Sequence, residues 1–377
     1  ACTITLPSSA DAGDQIILVD YLRTWGTNAI TIDSNGLTFQ GDSDAFTVDY
    51  DTAGQSLNLV YADSTKGWIP TSDIANALDH TPPPTQKAAF AYGRPSGVTS
   101  LKNLMNSSGV IAADVTGVGT ARYQLAGATY GTDKAIFAYG STSTSEGGGD
   151  FVSVSNLMNN SGVIAADVTG VGTARRAPSA ASYGGDKAIF AYGNSGSYVN
   201  TRNLVSNSGV VAADASGAGT ARGNMAATSY GSDKGIFAYG NSGGFTSVSN
   251  LVTNVGVVGT DVTGVGTSRQ FLSAATYGSG LAIFAYGSIN AADYFSLKNL
   301  VNSSGVVAAD VTGVGTARDM VAAAGYGGDK AAFAYGDDNS VSSLKNLVSN
   351  VGVVAADTTG VGTARNELAA AGYSSAA

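Results

Sequence analysis

Short apolar runs, separated by clusters of glycine, asparagine, serine and aspartate, make up most of this chain. The runs are rich in β-branched and aromatic residues, as at 135–139, and turn-forming residues bound each of them. This is the pattern of strands joined by tight turns. No run of ten or more residues has a helical period with capping residues. The pattern therefore predicts an all-β protein.

One seven-residue segment recurs through the chain, first as Lys-Ala-Ala-Phe-Ala-Tyr-Gly at 87–93. Its later copies start at positions 134, 187, 234, 281 and 330. Each copy is followed by Asn-Leu, by Gly-Val leading to Asp, by Gly-x-Gly-Thr-(Ala/Ser)-Arg, and by an alanine-rich stretch ending in Tyr. We predict four strands per repeat, which in the third copy are 187–193, 201–205, 209–214 and 222–230. Four-stranded units of roughly this length are typical of β-propeller blades.

The two ends of the repeat region complement each other. The first copy has no alanine-rich strand before it, and the last alanine-rich strand, 363–373, has no copy after it. If these two strands pair, six blades are complete and no sheet edge is left open. The sequence thus predicts a six-bladed β-propeller over 87–377, closed by its C-terminal strand, with the alanine-rich strands innermost.

The first 78 residues contain no copy of the repeat but hold both tryptophans. We predict a small all-β domain over 1–78, with a type I′ hairpin at Asn35-Gly36, because both central residues of that turn need positive φ. Three consecutive prolines mark 79–86 as a stiff linker. The predicted strands are 3–6, 15–20, 29–33, 37–40, 46–50 and 56–61.

The charge of the chain excludes some kinds of partner. There are 19 Lys and Arg against 28 Asp and Glu, and these make up only 12% of the residues, about half of the roughly 25% of an average domain. No basic cluster is present, so we expect neither nucleic acid nor an anionic membrane as a partner. No apolar run reaches the length of a membrane span, so no membrane insertion is expected. The sequence begins at Ala1, and the removal of a leader peptide before this residue stays an open alternative.

The scarcity of reactive side chains narrows the chemistry. The chain has one histidine (His80), one cysteine (Cys2) and two glutamates (Glu146 and Glu367). This is too few for a zinc site of His/Cys type, a disulfide framework or a redundant Ser-His-Asp triad. We therefore expect no catalytic residue, no metal and no cofactor. The Asp-x-x-Gly-x-Gly segments are interpreted as turns, with Asp bonding its own turn, rather than as calcium or phosphate loops.

Six arginines, one at the start of each alanine-rich strand, are candidate ligand-binding residues at one mouth of the central channel. They are Arg122, Arg175, Arg222, Arg269, Arg318 and Arg365. One interpretation is structural: each arginine bonds loop carbonyls or pairs with a repeat aspartate. Those aspartates are Asp114, Asp167, Asp214, Asp261, Asp310 and Asp357. The other interpretation is a receptor for an anion or a sugar acid.

The copies differ most in length and composition in the loops that follow each Tyr-Gly, which we call the variable loops. They span 94–100, 141–152, 194–200, 241–246, 288–295 and 337–342. We expect them on the same face as the arginines. Their aromatic residues, which suit contact with sugars or protein loops, are Phe151, Tyr198, Phe245, Tyr294 and Phe295. An equal alternative is that these loops have no binding role and simply tolerate changes of sequence.

The chain resembles two known groups of proteins. The order Ala-Arg, small apolar strand, Tyr-Gly, Asp-Lys and apolar strand ending Tyr-Gly, as at 316–336, resembles kelch repeats, without their usual double glycine and blade tryptophan. Phrases of the first domain, such as Ile-Thr-Leu-Pro at 4–7 and Lys-Gly-Trp at 66–68, resemble a small β-domain of bacteriophage tail-fibre and virion appendage proteins. The repeat phrase Asp-Val-Thr-Gly-Val-Gly-Thr-Ala-Arg is similar to those of marine phage appendages.

These resemblances imply a non-enzymatic virion fibre or appendage, located on the virion or outside the cell. The N-terminal domain would then bind other virion proteins or form a homo-oligomer, a trimer by resemblance to fibres. The loop face would bind a host-surface glycan or protein. Two alternatives stay open: a glycan-active hydrolase using a pair such as Asp337 and Asp338, and a purely structural decoration of a capsid or filament. A single histidine excludes a copper oxidase of kelch type.

Overall fold

The structure, a computed structural model, describes residues 2–41, 47–71, 86–143, 149–290 and 293–374. Within these residues the chain forms 24 strands and no helix, so the all-β prediction is confirmed. The chain divides into two compact units, Ala1–Pro83 and Pro84–Ala377.

The division between the units falls inside the predicted linker, 79–86. Residues 79–85 of that linker lie outside the described residues, and so do His80 and Glu146.

The described residues of the first unit form two three-stranded sheets. Its strands are β1 (Cys2–Thr5), β2 (Gln15–Val19), β3 (Ile30–Asp33), β4 (Thr47–Tyr50), β5 (Ser56–Tyr61) and β6 (Trp68–Pro70). One sheet has the order β1-β3-β4, with β1 parallel to β3, and the other is β2-β5-β6, antiparallel throughout. Alternate residues of β5 are buried, and the rings of Tyr61 and Trp68 meet edge to face at 5.5 Å.

The Asn35-Gly36 turn has the predicted backbone but not the predicted partner. Its φ values are 55° and 82°, both positive as expected. However, β3 pairs with β1 and β4, and residues 37–40 form no strand. The hairpin prediction is wrong, because the turn is held by other bonds: the Asn35 backbone N–H donates to Asp33 Oδ1, and Asn35 Nδ2 donates to the carbonyl of the distant Leu6, both at 2.9 Å.

The segment after that turn lies instead against β6, a strand that the sequence pattern did not predict. Phe39 and Trp68 form an isolated bridge. A Cβ atom on Gly67, whose φ is 65°, would lie only 1.7 Å from the Thr38 carbonyl oxygen. Only glycine therefore permits this approach.

The described part of the second unit contains eighteen strands, and we number them β7 to β24. They are β7 (Gln86–Ala91), β8 (Lys102–Met105), β9 (Ala126–Tyr130), β10 (Lys134–Ala138), β11 (Ser155–Met158), β12 (Ser179–Tyr183), β13 (Lys187–Ala191), β14 (Arg202–Val205), β15 (Ala226–Tyr230), β16 (Lys234–Ala238), β17 (Ser249–Val252), β18 (Ser273–Tyr277), β19 (Leu281–Ala285), β20 (Lys298–Val301), β21 (Ala322–Tyr326), β22 (Lys330–Asp337), β23 (Val341–Val348) and β24 (Ala369–Ser374). They form six antiparallel three-stranded sheets: β24-β7-β8, β9-β10-β11, β12-β13-β14, β15-β16-β17, β18-β19-β20 and β21-β22-β23.

One of the four strands predicted for each repeat, 209–214 in the third copy, is instead an irregular outer segment. In the third copy, the predicted strand 209–214 and the adjoining Ala215 form only two isolated bridges with β14, Val205 with Val211 and Arg202 with Ala215. Between these two bridges the outer segment advances by four residues and β14 by three, so the regular pattern of backbone hydrogen bonds is interrupted. The Asn203 side chain compensates, because its Nδ2 donates to the Ala212 carbonyl at 3.0 Å.

The strand order places the most apolar strand in the middle of each sheet. In β13, Ala188 through Ala191 are fully buried, because neighbouring sheets pack on both faces. Tyr192, for example, lies 5.4 Å from the Phe237 ring of the next sheet. The buried clusters accordingly combine residues from adjacent sheets.

The alanine-rich strands contact one another between sheets. β9 contacts β12, β12 contacts β15, β15 contacts β18, β18 contacts β21, β21 contacts β24, and β24 contacts β9. Small side chains permit this close approach. β24 also pairs antiparallel with β7, with Ala369 opposite Ala91 and Tyr373 opposite Lys87.

Candidate functional site

The six strand-starting arginines lie inside the second unit, with no solvent-exposed surface. In the third copy, Arg222 Nε donates to the Tyr239 carbonyl at 2.9 Å and Nη1 to the Thr220 carbonyl at 3.0 Å. Its Nη2 donates to Asn250 Oδ1 at 2.6 Å. A guanidinium buried and bonded in this way has no face for a ligand. The structural interpretation, in which each arginine bonds loop carbonyls, is therefore confirmed. The alternative interpretation, a receptor at a mouth, is wrong for the buried residues Arg122, Arg175, Arg222, Arg269, Arg318 and Arg365.

Each of these arginines also stacks on a tyrosine of the neighbouring sheet. The Arg222 guanidinium lies 4.6 Å from the Tyr192 ring centroid. Burial raises the pKa of Tyr192 to about 12 and lowers the pKa of Arg222, so Tyr192 stays neutral. Arg365 stacks on Tyr335 at 4.3 Å and donates to the Tyr92 carbonyl at 2.9 Å. It therefore links the last repeat to the first.

The repeat aspartate binds a turn that belongs to another repeat. Asp261 accepts hydrogen bonds from the Thr220 backbone N–H at 3.1 Å, from Thr220 Oγ1 at 2.6 Å and from Asn250 Nδ2 at 2.9 Å. Burial acts to raise the pKa of Asp261, but these hydrogen bonds outweigh it and the pKa is lowered. The carboxylate lies 3.8 Å from Arg222. The prediction that this aspartate bonds its own turn is therefore wrong.

The Gly-x-Gly that precedes each arginine is required by close packing. A Cβ on Gly217 would lie 1.6 Å from the Asn200 carbonyl oxygen, and a Cβ on Gly219, whose φ is 76°, would lie 2.2 Å from Asp261 Oδ1. The turn is therefore filled by the protein's own groups. We call each unit of arginine, stacked tyrosine, threonine and aspartate a clasp; the third-copy clasp is Arg222, Tyr192, Thr220 and Asp261.

The two residues after each clasp arginine differ in every copy. The pairs are Tyr123-Gln124, Arg176-Ala177, Gly223-Asn224, Gln270-Phe271, Asp319-Met320 and Asn366-Glu367. The second residue of every pair has a left-handed backbone, with φ between 49° and 54°. Such a conformation is unusual for residues such as Phe271 and Met320. One backbone geometry is thus occupied by six different side chains.

Backbone hydrogen bonds join these six left-handed residues into one chain. Ala177 N donates to Gln124 O at 2.8 Å, and Gln124 N donates to Glu367 O at 2.9 Å. Glu367 N donates to Met320 O at 3.2 Å, Met320 N to Phe271 O at 2.9 Å and Phe271 N to Asn224 O at 2.8 Å. We call the surface formed by the six residue pairs and the adjoining variable loops the mouth.

The variable loops lie beside the residue pairs, as expected. Asn194 bridges both Arg176 and Tyr198, and the corresponding loop positions bridge in the same way to Phe151, Phe245 and Tyr294. These four aromatic residues therefore occupy equivalent places. Phe245 is 41% exposed, while Phe151, Tyr198, Tyr294 and the adjacent Phe295 are half-buried. Residues 144–148 and 291–292 of these loops lie outside the described part of the chain.

A cavity of about 280 Å³ opens at the mouth, and we call it the vestibule. It is lined by Tyr123, Gln124, Arg176, Ala177, Asn194, Tyr198, Asn224, Phe271, Met320 and Glu367. Two further cavities, of about 140 and 240 Å³, are lined mainly by the alanine-rich strands of all six sheets. Of the predicted ligand-binding residues, only Tyr198 lines the vestibule.

The vestibule combines aromatic, amide and charged groups. Arg176 lies 5.8 Å from the Phe151 ring centroid, and its side chain forms no hydrogen bond or ion pair with the described residues. Glu367 accepts a hydrogen bond from Gln124 Nε2 and lies 4.0 Å from Arg94. Gln124 Oε1 is buried without a hydrogen-bond partner among the described residues. This mixture suits a polar organic ligand.

Two aspartates pair through their backbones at the side of the mouth. Asp319 and Asp337 form a bridge in which each backbone N–H donates to the other residue's carbonyl at 2.9 Å. Asp319 is 4% exposed; its Oδ2 accepts from Ser288 Oγ at 2.6 Å, and its Oδ1 has no partner within the described ranges. Burial is the main cause that raises the pKa of Asp319 to about 7; the charge of Asp337 acts in the same direction and the Ser288 hydrogen bond opposes them. The group therefore titrates near neutral pH.

The residue pairs of the mouth were not predicted from the sequence. The strand pattern treats 222–230 and its equivalents as continuous strands, whereas the strands begin four residues later, at Ala226 in the third copy. The available signal was the variation among the copies at two positions that directly follow an invariant arginine of the repeat.

Among the described residues, no group of three or more His, Cys, Asp or Glu side chains is placed to hold a metal ion. The same residues form no helix of sufficient length and apolarity to cross a membrane. Neither the models of known protein families nor the curated proteins with which the chain was compared contain a match.

Proposed function

We propose that the second unit is a closed six-bladed β-propeller of kelch-like type and that its mouth binds a receptor for a virion appendage, without catalysis. The receptor is a glycan or a protein of the host surface. The single observation that carries this proposal is the placement of sequence variation: the copies share their clasps and differ at the mouth.

The contacts between sheets support closure. The alanine-rich strands contact one another in a cycle, including β24 with β9. The clasps follow the same cycle, because Arg365 joins Tyr335 to Tyr92 and Arg122 stacks on Tyr92 at 4.3 Å. β24 completes the sheet of β7 and β8. Six sheets linked in this way leave none of the alanine-rich strands without a neighbour.

The asymmetry of the mouth supports binding. A host glycan or protein loop has no six-fold symmetry, so a scaffold of near-identical repeats recognises it only where the repeats differ. The mouth supplies such differences on a rigid support, since each left-handed residue closely follows a buried clasp arginine. Binding residues held by a rigid scaffold are a common arrangement in proteins.

The assignment to a virion rests on the resemblance of both units to phage fibre and appendage proteins. In this proposal the first unit attaches the chain to other virion proteins or joins it into a homo-oligomer, a trimer by the same resemblance. The chain then lies on the virion, outside the host cell.

The test uses the full chain and intact particles. We expect antibodies against the chain to label virions, and we expect the labelled purified chain to bind host cells. Tyr198→Ala combined with Phe271→Ala should reduce that binding at least tenfold, because both rings line the vestibule. Val210→Ser, at a residue 66% exposed on the outer segment, is the control. Unlabelled virions, or equal binding by all variants, would contradict the proposal.

One observation favours a second candidate function, glycan hydrolysis. Asp319 has a pKa raised to about 7, chiefly by burial, and pairs through its backbone with Asp337, whose charge contributes to the raised pKa. A protonated acid near a second carboxyl group is the arrangement of glycosidases. Turnover of host polysaccharide by the purified chain, abolished by Asp319→Asn with binding retained, would establish this function. Binding without turnover excludes it.

A further inference from the structure

We propose that the vestibule binds an acidic sugar unit, with Arg176 as the partner of the sugar carboxylate. This inference rests on the proposed function and names the ligand class of the same site. In this inference the anion is bound by Arg176, which is half-buried, and not by the six clasp arginines, which are fully buried.

Arg176 differs from Arg94, another arginine of the mouth, in having no hydrogen-bond or ion-pair partner within the described part of the chain. Arg94 lies 4.0 Å from Glu367 and 5.2 Å from the Tyr123 ring centroid. Arg176 directly follows the clasp residue Arg175 and lines the vestibule half-buried, with the Phe151 ring beside its guanidinium. A planar guanidinium with its donors unused is suited to bidentate binding of a carboxylate.

The groups next to Arg176 suit a sugar ring. Tyr198 lines the same cavity and lies against Gly223, where an added Cβ would be 3.2 Å from the ring. The absence of a side chain at Gly223 thus leaves room for the aromatic ring. Asn194 Oδ1 accepts from the Gly196 backbone N–H at 2.8 Å, which orients the amide and leaves its nitrogen as a donor. An aromatic face with nearby amide donors recognises sugar rings and hydroxyl groups.

The acidic residue of the vestibule is already bonded. Glu367 accepts from Gln124 Nε2 and lies near Arg94, so part of its charge is offset. Arg176 is therefore the uncompensated charge of the cavity. A volume of about 280 Å³ lies just below the usual range for ligand pockets, and it suits one monosaccharide unit rather than a folded protein segment.

The experiment compares matched acidic and neutral sugars by titration calorimetry with the full chain. The probes are sialyllactose against lactose, and methyl glucuronide against methyl glucoside. We expect the wild-type chain to prefer at least one acidic probe. Arg176→Gln should lower its affinity by about tenfold to a hundredfold, the range for a lost hydrogen bond to a charged group. Arg176→Lys should retain part of the affinity, because lysine keeps the positive charge but lacks the paired N–H donors of the guanidinium.

Lys187→Gln is the control, because it removes one positive charge from the same sheet at the lysine that begins β13. We expect no change in affinity. Equal wild-type affinity for acidic and neutral probes, or an Arg176→Gln chain that binds the acidic probe as well as wild type, would overturn this inference. If Tyr198→Ala still reduced cell binding in either case, the proposed receptor function would stand. If the wild-type chain bound neither host cells nor any probe, both would fail.

Discussion

The clasps and the mouth are adjacent in sequence and opposite in character. Arg222 is fully buried and holds two sheets together, whereas Gly223 and Asn224, the next two residues, belong to the surface that differs among all six copies. In every repeat, a single peptide bond thus separates the buried arginine that stabilises the scaffold from the first residue that varies among the copies. A repeat protein built in this way changes its surface without losing its scaffold, because the buried anchor fixes the backbone that presents the variable residue.

The largest effect should come from removing one clasp with its strand. Deletion of residues 363–377 eliminates β24 and Arg365, so β7 loses its partner and Tyr335 loses its stacked guanidinium. We expect the second unit to lose its cooperative thermal transition, measured by circular dichroism and calorimetry. Deletion of residues 375–377 alone is the control. An unchanged Tm after the larger deletion would contradict closure by β24.

Removal of one clasp side chain should cost less. Arg222→Met leaves the Tyr239 and Thr220 carbonyls and Asn250 Oδ1 without their donor. Loss of one partner from a buried charged network costs about 3–5 kcal/mol of unfolding free energy. Denaturant titration measures this value. Lys234→Met, at a half-exposed lysine paired with Asp233, should change stability by less than about 0.5 kcal/mol. Similar values for both variants would refute the structural role of the arginine.

The acidic pair at the mouth should make stability depend on pH. Asp319 has a folded-state pKa of about 7, above its unfolded value, so its stabilising contribution is present at low pH. That contribution is lost as pH rises from about 4 through about 7. Asp319→Asn should therefore become more stable than wild type as pH rises, by up to about 4 kcal/mol.

Parallel denaturant titrations at pH 4 and pH 8 measure this effect as a difference between the two chains. The comparison matters because the clasp aspartates, whose pKa values are lowered, act in the opposite direction in both chains. A difference that does not vary with pH would show that Asp319 titrates normally.

The smallest effect should come from an exchange at the mouth itself. Met320 has a φ of 51°, and asparagine adopts this region more readily than methionine. Met320→Asn should therefore change the unfolding free energy by less than about 1 kcal/mol. The next residue, Val321, is 6% exposed and packs in the core, so Val321→Asn should cost about 2–4 kcal/mol. Equal costs at both positions would remove the contrast between mouth and scaffold.

The sequence predicts the elements that repetition and local pattern specify. Six recurring Tyr-Gly strands locate the middle strands, and the unmatched strand 363–373 predicts the pairing of β24 with β7. The failure at 209–214 has a physical cause, because its hydrogen bonds are shared with the side chain of Asn203, which the strand pattern does not reveal. Likewise, nothing local indicates that Phe39 contacts Trp68 rather than forming a hairpin.

The candidate site was less predictable than the fold. The repeat pattern identifies the arginines but does not predict that they are buried. The burial of Arg222 depends on Tyr192 and Asp261, which belong to neighbouring repeats. Of the loop aromatics proposed to contact a ligand, only Tyr198 lines the vestibule. Phe and Met rarely adopt positive φ, so these residue types do not indicate the left-handed backbone at Phe271 and Met320. The mouth could therefore be recognised only from the structure.

The pairing of β24 with β7 has a consequence for biosynthesis. β7 emerges from the ribosome long before its partner, because almost all of the repeats are translated between them. Until then one side of an apolar strand, buried on both faces in the finished sheet, has an unsatisfied edge. Nascent chains with such edges are prone to pair with each other, so rapid completion of translation, or a chaperone that covers β7, favours a high yield of native protein.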